Sequence, residues 1–167
     1  RRPQYGVQRK QIALKNFSGI SDERIVEQDG KKTLQFSALA GTSKTELLKI
    51  FLKHKLSPAL FLAGLPGDVG GGIVMNAGVA ETLRPREFGE IVHSIEVVNS
   101  PQSWTVKKYH HDEIQWTYRH SRGWQPGLVT RVHFHWPLDS DPDVLVKVRE
   151  ANKVRFSKQP LDKPSCG

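Results

Sequence analysis

The chain has 167 residues, 37% hydrophobic and 25% charged, so it has the composition of a soluble domain with a sizeable core. Its formal charge of +8 favours an anionic partner, either nucleic acid, a phosphorylated metabolite or an acidic membrane surface, and the alternative is a merely solvated basic surface. We expect no transmembrane helix and no signal peptide, and the single cysteine, Cys166, favours a reducing compartment such as the cytoplasm.

The first predicted elements are a β-hairpin and a helix. Residues 24–36 are typical of a hairpin around Asp29-Gly30, a dipeptide that favours tight turns. Apolar residues alternate on one face of the second strand: Leu34, Phe36, Ala38 and Ala40. Ser43 and Glu46 have the spacing of a capping box, which predicts an amphipathic helix that ends near His54.

A glycine-rich segment, residues 63–78, comes next and contains six of the chain's 14 glycines. Because glycine has no Cβ, its backbone turns tightly and presents N–H groups to a ligand, so we interpret the segment as a phosphate-binding loop. Asn76 adds a side-chain amide that both donates and accepts hydrogen bonds. The alternative is a tight structural connection. The glycine spacing does not fit G-x-G-x-x-G, which disfavours a Rossmann site.

The second half of the chain predicts four strands and a helix. The strands cover residues 91–98, 104–109, 114–118 and 128–136. In the first of them, three residues should point inward: Ile91, Ile95 and Val97. The last has an apolar and a basic face: Leu128, Val132, Phe134 and Trp136 against Arg131, His133 and His135.

The last predicted helix opens at Asp141-Pro142 and continues to about Phe156. Its apolar face is formed by four residues: Val144, Leu145, Val148 and Ala151. Together the elements predict an α+β fold in which helices pack on a mostly antiparallel sheet.

Several basic residues are candidates for binding or catalysis. The guanidinium of Arg119 follows a strand and is suited to bidentate hydrogen bonds with a carboxylate, although a surface salt bridge is the alternative. Arg155 and Lys158 either offset a helix dipole or reach anionic groups in a cleft. We interpret His110-His111 and His133-x-His135 as solvent-facing residues and not metal ligands, because no cysteine cluster or H-E-x-x-H motif accompanies them.

Three motifs follow one another along the chain. They are G-L-P-G-D-V-G-G and N-A-G within residues 64–78, Y-R-H-S at 118–121, and K-Q-P-L-D-K-P-S-C-G at 158–167. In this order they resemble the motifs of the UDP-N-acetylenolpyruvoylglucosamine reductase family, the flavin enzymes called MurB. The resemblance extends over about residues 17–167, and three motifs in sequence are far more specific than one.

This resemblance implies a fold and a set of site residues. The fold would be similar to the second lobe of a FAD-binding domain of the PCMH/VAO type. Arg119 would be the catalytic residue that polarises the enolpyruvyl carboxylate, and Tyr118, Lys158 and Arg155 would contact the substrate. The residues that would line FAD are Leu65, Pro66, Gly67, Val69, Gly70, Gly71, Gly72, Asn76, Ala77 and Gly78.

The resemblance also implies a reaction. In the family, NADPH reduces FAD, and the flavin passes a hydride to UDP-N-acetylglucosamine enolpyruvate, which gives UDP-N-acetylmuramate for peptidoglycan synthesis. Residues 17–157 would be the central FAD-binding lobe, with residues 1–16 loosely matched and residues 158–167 leading to a substrate-binding domain. The family's proton-donating serine directly follows the glycine that matches Gly167. We therefore expect the 167 residues alone to bind FAD weakly and to be inactive as a reductase.

Two other functions remain open at this point. A basic nucleic-acid-binding module is suggested by the net charge and by aromatic residues near Arg119 and Arg122, namely Trp116, Tyr118 and Trp124. A non-catalytic scaffold with a flavin-type fold is the other alternative. The resemblance implies no membrane partner and makes nucleic acid the weaker interpretation.

Overall fold

The structure is a computed structural model that describes residues 16–79, 83–99 and 105–158, with the backbone alone for the last five. Trp104, the predicted first residue of a strand, lies outside these residues. So do residues 159–167, which make up the third motif apart from Lys158. The helices are α1 (Lys44–Lys53), α2 (Ala59–Leu62), α3 (Val69–Val74) and α4 (Val144–Lys158). The strands are β1 (Ile20–Gln28), β2 (Lys31–Leu39), β3 (Val92–Asn99), β4 (Thr105–His110), β5 (Gln115–Thr117), β6 (His120–Arg122) and β7 (Leu128–Pro137), and two short 3-10 turns cover Phe88–Glu90 and His111–Glu113.

The main sheet has five strands in the order β1-β2-β7-β3-β4, and all of its pairings are antiparallel. Strands β5 and β6 form a separate small hairpin. The predicted α+β class is therefore confirmed. In the described part of the chain, no helix is both long and apolar enough to cross a bilayer.

The predicted first hairpin and helix are confirmed. Asp29 and Gly30 both have positive φ, 52° and 72°, as a tight hairpin turn requires. All four alternating residues, of which Ala40 directly follows β2, are buried: Leu34, Phe36, Ala38 and Ala40. Helix α1 has both hydrogen bonds of the capping box, since Ser43 Oγ accepts from Glu46 N and Glu46 Oε2 accepts from Ser43 N.

The core lies between one face of the sheet and the helices. The Phe36 ring stacks on Phe134 of the neighbouring strand at 4.9 Å and meets Phe51 of α1 edge-on at 5.5 Å. The three inward residues predicted for the first strand of the second half, Ile91, Ile95 and Val97, are all buried. This face of the sheet positions α3, which contacts both β2 and β7.

Two details of the predicted apolar faces are wrong. Leu128 is 37% exposed and Val129 is buried instead, because the pairing of β7 with β3 shifts register between Glu96 and Val97. Such a shift moves the following side chains to the opposite face of the sheet.

The last helix also differs from its prediction. It begins at Val144, because Asp141 closes a turn over residues 142 and 143 by accepting a hydrogen bond from Asp143 N. Val144 and Val148 are buried, whereas Leu145 is 47% exposed. Leu145 lies one helical step, about 100°, away from the buried stripe.

Candidate functional site

The glycine-rich segment forms a short helix and not the turning loop predicted from its composition. Gly70, Gly71 and Gly72 all lie within α3. Glycine is a poor helix former, with a cost of about 1 kcal/mol per residue relative to alanine. The helix is held by its packing, since Val69 and Ile73, four residues apart, are fully buried.

Two of the three glycines within α3 are required for close packing. A Cβ at Gly70 would lie 3.0 Å from Ala40 Cβ, and a Cβ at Gly72 would lie 2.6 Å from Phe88 Cζ. Gly67 has a φ of 89°, a left-handed conformation that favours glycine. Gly71 is different, because a Cβ there would meet no atom within 4 Å. Close packing thus explains why residues 70 and 72 are glycine, whereas Gly71 faces solvent.

Backbone hydrogen bonds fix the start of the segment to the chain that follows β2. Val69 N donates to Thr42 O at 2.9 Å, and Gly70 N donates to Ala40 O at 2.7 Å. Lys44 N donates to Gly67 O at 3.0 Å. The amides of Val69 and Gly70 are therefore used inside the fold and are not part of a cradle of free N–H groups.

The segment still presents an exposed surface. Gly71, Val74 and Met75 lie on one side of α3, because they are three and four residues apart. Val74 is 40% and Met75 is 49% exposed, and Pro66-Gly67 are exposed just before the helix. We call these five residues the glycine surface. All five are exposed, none carries a polar side chain, and Gly67 and Gly71 leave their backbone accessible.

Asn76 is buried and its side-chain amide is bonded within the protein. Its Oδ1 accepts from Gly89 N at 2.8 Å, and its Nδ2 donates to Thr117 O at 3.1 Å. The first bond joins the end of α3 to the 3-10 turn at Phe88–Glu90, and the second joins it to the β5–β6 hairpin. The structure thus places Asn76 as a support between two predicted site regions, and a contact between its side chain and FAD stays a prediction.

The other flavin-lining candidates lie around these residues. Leu65 and Ala77 are half-buried. Ala77 N donates to Gly72 O at 2.8 Å, and Gly78 pairs with Glu87, whose Cβ and Cα leave no room for a side chain at residue 78. The backbone at Ala77 and Gly78 is therefore hydrogen-bonded and closely packed just after the end of α3.

Tyr118 and Arg119 form the connection between β5 and β6. Tyr118 is 83% exposed, and the guanidinium carbon of Arg119 lies 4.9 Å from the centroid of its ring. Arg119 has a φ of 56°. Among the residues that the structure describes, no carboxylate forms an ion pair with Arg119. Arg119 lies two residues along the chain from Thr117, which Asn76 links to α3.

Three further residues were singled out in the sequence: Arg155, Lys158 and Ser121. Arg155 and Lys158 lie in α4, but their side chains fall outside the described residues, so their predicted role is untested. Ser121 of the Y-R-H-S motif is buried and accepts a hydrogen bond from Trp124 Nε1 at 3.0 Å. Trp124 is itself buried, so it cannot serve as the stacking surface of a nucleic-acid site.

Lys44 is a site residue that the sequence analysis missed. It is buried, and its Nζ donates to Pro66 O at 2.8 Å. Burial lowers the pKa of Lys44, while the charge of Asp68 acts in the opposite direction. A lysine in the first turn of an amphipathic helix usually lies in solvent, so the sequence offered no signal.

Four histidines meet on the face of the sheet opposite the helices. The His93 ring stacks on His135 at 3.6 Å and meets His110 edge-on at 5.8 Å, and His133 Nε2 lies 2.8 Å from Glu96 Oε1. Burial, followed by the neighbouring His93, lowers the pKa of His135 to about 4. Within the described ranges, no three potential ligands form a group suited to a metal ion.

Comparisons with known proteins place these features in context. No family model matches the chain. A UDP-N-acetylenolpyruvoylglucosamine reductase of Lactobacillus helveticus is 32% identical over 81% of this chain and 44% of its own length. The reductase of Thermotoga petrophila is 33% identical over 89% of this chain and 50% of its own length, and that of Caldanaerobacter subterraneus is 31% identical over 89% and 46%.

A solved structure agrees with these relatives. The crystal structure of the UDP-N-acetylenolpyruvylglucosamine reductase from Thermus caldophilus has a TM-score of 0.55 and 27% identity, and it covers 75% of this chain and 43% of that chain. The chain thus spans about half, or less, of the length of the proteins it matches. By sequence and by fold, the chain is similar to one part of the UDP-N-acetylenolpyruvoylglucosamine reductases.

Proposed function

We propose that this chain is the FAD-binding part of a UDP-N-acetylenolpyruvoylglucosamine reductase that acts with NADPH in cytoplasmic peptidoglycan synthesis. The names of the curated relatives support the activity, since they match 78–89% of this chain. The extent of this match supports a partial role, because about half of each relative has no counterpart among these residues.

The glycine surface is the observation that carries the FAD proposal. The open space at Gly71, between exposed Pro66-Gly67 and exposed Val74 and Met75, lets a flat aromatic ring approach the backbone closely. Binding sites for such ligands are mostly apolar, with a few fixed polar groups. The residues therefore fit a flavin. When bound, FAD would supply the hydride-transfer chemistry, while the protein supplies orientation and charge.

Arg119 and Tyr118 would act on the substrate. A guanidinium without an internal carboxylate partner is suited to bind the enolpyruvyl carboxylate through paired hydrogen bonds and to stabilise negative charge that develops beside it. The Tyr118 ring, 4.9 Å from the guanidinium carbon, would hold Arg119 in place. Lys158 and Arg155 would add positive charge for the UDP diphosphate.

Titration of the 167-residue chain with FAD, followed by flavin fluorescence, tests the proposal. The critical variant is Met75→Glu, which places a carboxylate on the glycine surface, and the matched control is Val106→Glu. Val106 is an exposed apolar residue of β4, 61% accessible. We expect Met75→Glu to weaken FAD binding about tenfold or more, because it sets a charge against an apolar ring, and Val106→Glu to leave it within about twofold.

Two results would contradict the proposal. One is an unmodified chain that takes up no FAD, and the other is equal loss of affinity in both variants. Reductase turnover by these residues alone should be negligible, as measured by NADPH oxidation with the enolpyruvyl substrate. Salt-dependent RNA binding without flavin uptake would instead favour the nucleic-acid alternative.

A further inference from the structure

A buried ammonium group contacts the glycine surface at Pro66 and Gly67. Lys44 is the first residue of α1 and is only 6% exposed. Its Nζ donates to Pro66 O at 2.8 Å and lies 3.6 Å from the position that a Cβ of Gly67 would occupy. Pro66 and Gly67 are themselves exposed, so the buried charge contacts a solvent-facing part of the segment.

The surroundings of Lys44 connect it to the rest of the segment. Its Nζ lies 5.7 Å from the centroid of the Phe88 ring, and that ring packs against Gly72. The carboxylate of Asp68 is close enough to raise the pKa of Lys44 against the effect of burial. Asp68 is exposed and Lys44 is not, so the two charges differ in their access to solvent.

Burial of a charged group without full compensation costs free energy. An ammonium group has three N–H donors, and the described residues give Lys44 a single hydrogen-bond acceptor. The electrostatic attraction of this charge for an anion at Gly67 is stronger than that of a solvated lysine, because the surrounding dielectric constant is lower.

We infer that Lys44 is the fixed positive charge of this site, which positions the Pro66-Gly67 turn and attracts the negatively charged diphosphate of the ligand. This inference rests on the proposed FAD function for the identity of the ligand. The negative charge of Asp68 repels an anion and attracts Lys44, so the ligand diphosphate competes with that carboxylate for the positive charge of Lys44.

Three variants separate charge from shape. Lys44→Met keeps the packing volume but removes the charge, Lys44→Arg keeps the charge, and Asp68→Asn removes the opposing carboxylate. We expect Lys44→Met to weaken FAD binding about tenfold and to change the binding of uncharged riboflavin by less than about twofold. Lys44→Arg should retain most of the FAD affinity, and Asp68→Asn should raise it.

A direct readout is the pKa of Lys44, followed by NMR of the chain labelled with carbon-13 lysine. Its signal is assigned by its absence in Lys44→Arg. Addition of FAD, or of inorganic pyrophosphate, should raise this pKa, and riboflavin should leave it unchanged, because only the first two bring negative charge. A purely structural lysine would show no such difference.

The outcomes separate this inference from the proposed function. If FAD binds but leaves the pKa of Lys44 unchanged, or if Lys44→Met weakens FAD and riboflavin equally, the role of Lys44 is overturned and the FAD function stands. If pyrophosphate raises the pKa and FAD does not bind, the anion site stands and the FAD function is wrong. If neither FAD nor pyrophosphate has an effect, both fail.

Discussion

Arg119 has a backbone conformation that side chains rarely adopt, with a φ of 56° in the short connection between β5 and β6. Glycine adopts such a conformation without steric cost, whereas residues with a Cβ pay about 1 kcal/mol or more. Arginine at this position therefore carries a backbone cost, as do Asp22, Asp29, Lys55 and Asn76. The same strain often occurs at functional sites.

The strain can be measured with two substitutions. Arg119→Gly and Arg119→Ala both remove the guanidinium, but only glycine relieves the backbone. We expect the free energy of unfolding of Arg119→Gly to exceed that of Arg119→Ala by about 1 kcal/mol, in urea unfolding followed by tryptophan fluorescence. Equal stability of the two variants would show that the turn is unstrained. Asp22, with a φ of 60° in the bulge of β1, offers a control pair of substitutions remote from the site.

Helix α3 allows packing to be separated from ligand contact. Gly71→Ala adds a methyl group in open space on a helix, so it should stabilise the protein by about 0.5–1 kcal/mol. Gly72→Ala would force its Cβ against the Phe88 ring and should destabilise the protein by about 1–3 kcal/mol. Thermal unfolding checks both values. FAD titration of Gly71→Ala should show weaker binding in spite of the higher stability, and unchanged binding would place the flavin elsewhere.

The sequence predicts some elements well and others poorly, for physical reasons. The β1–β2 hairpin and α1 have local signals, namely Asp29-Gly30 and the capping box of Ser43 and Glu46, and these act independently of the rest of the fold. Helix α3 has six residues and three glycines, so its local propensity opposes a helix. Contacts with Ala40 and Phe88, which are distant in sequence, stabilise it instead. No local pattern contains that information.

The candidate site, too, is predicted from the sequence only in part. The motifs within residues 64–78 and 118–121 identified two regions, but not the amide of Asn76 that connects them. Lys44 escaped notice because its burial depends on where the glycine segment crosses the N-terminus of α1. Positions of residues that support a site follow from long-range packing, while residues exposed on its surface are more easily identified from sequence.

The histidine-lined face of the sheet makes the stability of the whole domain sensitive to pH. Burial is the first cause that lowers the pKa values of His93 and His135, and nearby positive or titrating groups add to it: His110, His111, His133, Lys108 and Arg24. The folded protein thus binds fewer protons than the unfolded chain between about pH 6.5 and pH 4. The free energy of unfolding should therefore fall as pH falls through this window.

We expect a loss of about 1 kcal/mol between pH 7 and pH 5, since the rings are partly exposed and solvent weakens their interaction. Urea unfolding at a series of pH values measures it, and His135→Gln should flatten the curve. The carboxylates with lowered pKa values, such as Asp22 and Asp141, act only below their ordinary pKa of 3.8. A curve that stays steep in His135→Gln would assign the effect to other groups.

The hydrogen bonds from Val69 and Gly70 to Thr42 and Ala40 have a consequence for how quickly a ligand associates. They tie the segment to the chain that directly follows strand β2, so a ligand meets a surface that is already in its final shape. Association then requires no ordering of this segment, and the entropy cost of binding falls mainly on the ligand. The rate of association should depend on diffusion and on the charge of Lys44, with no slow conformational step at the glycine surface.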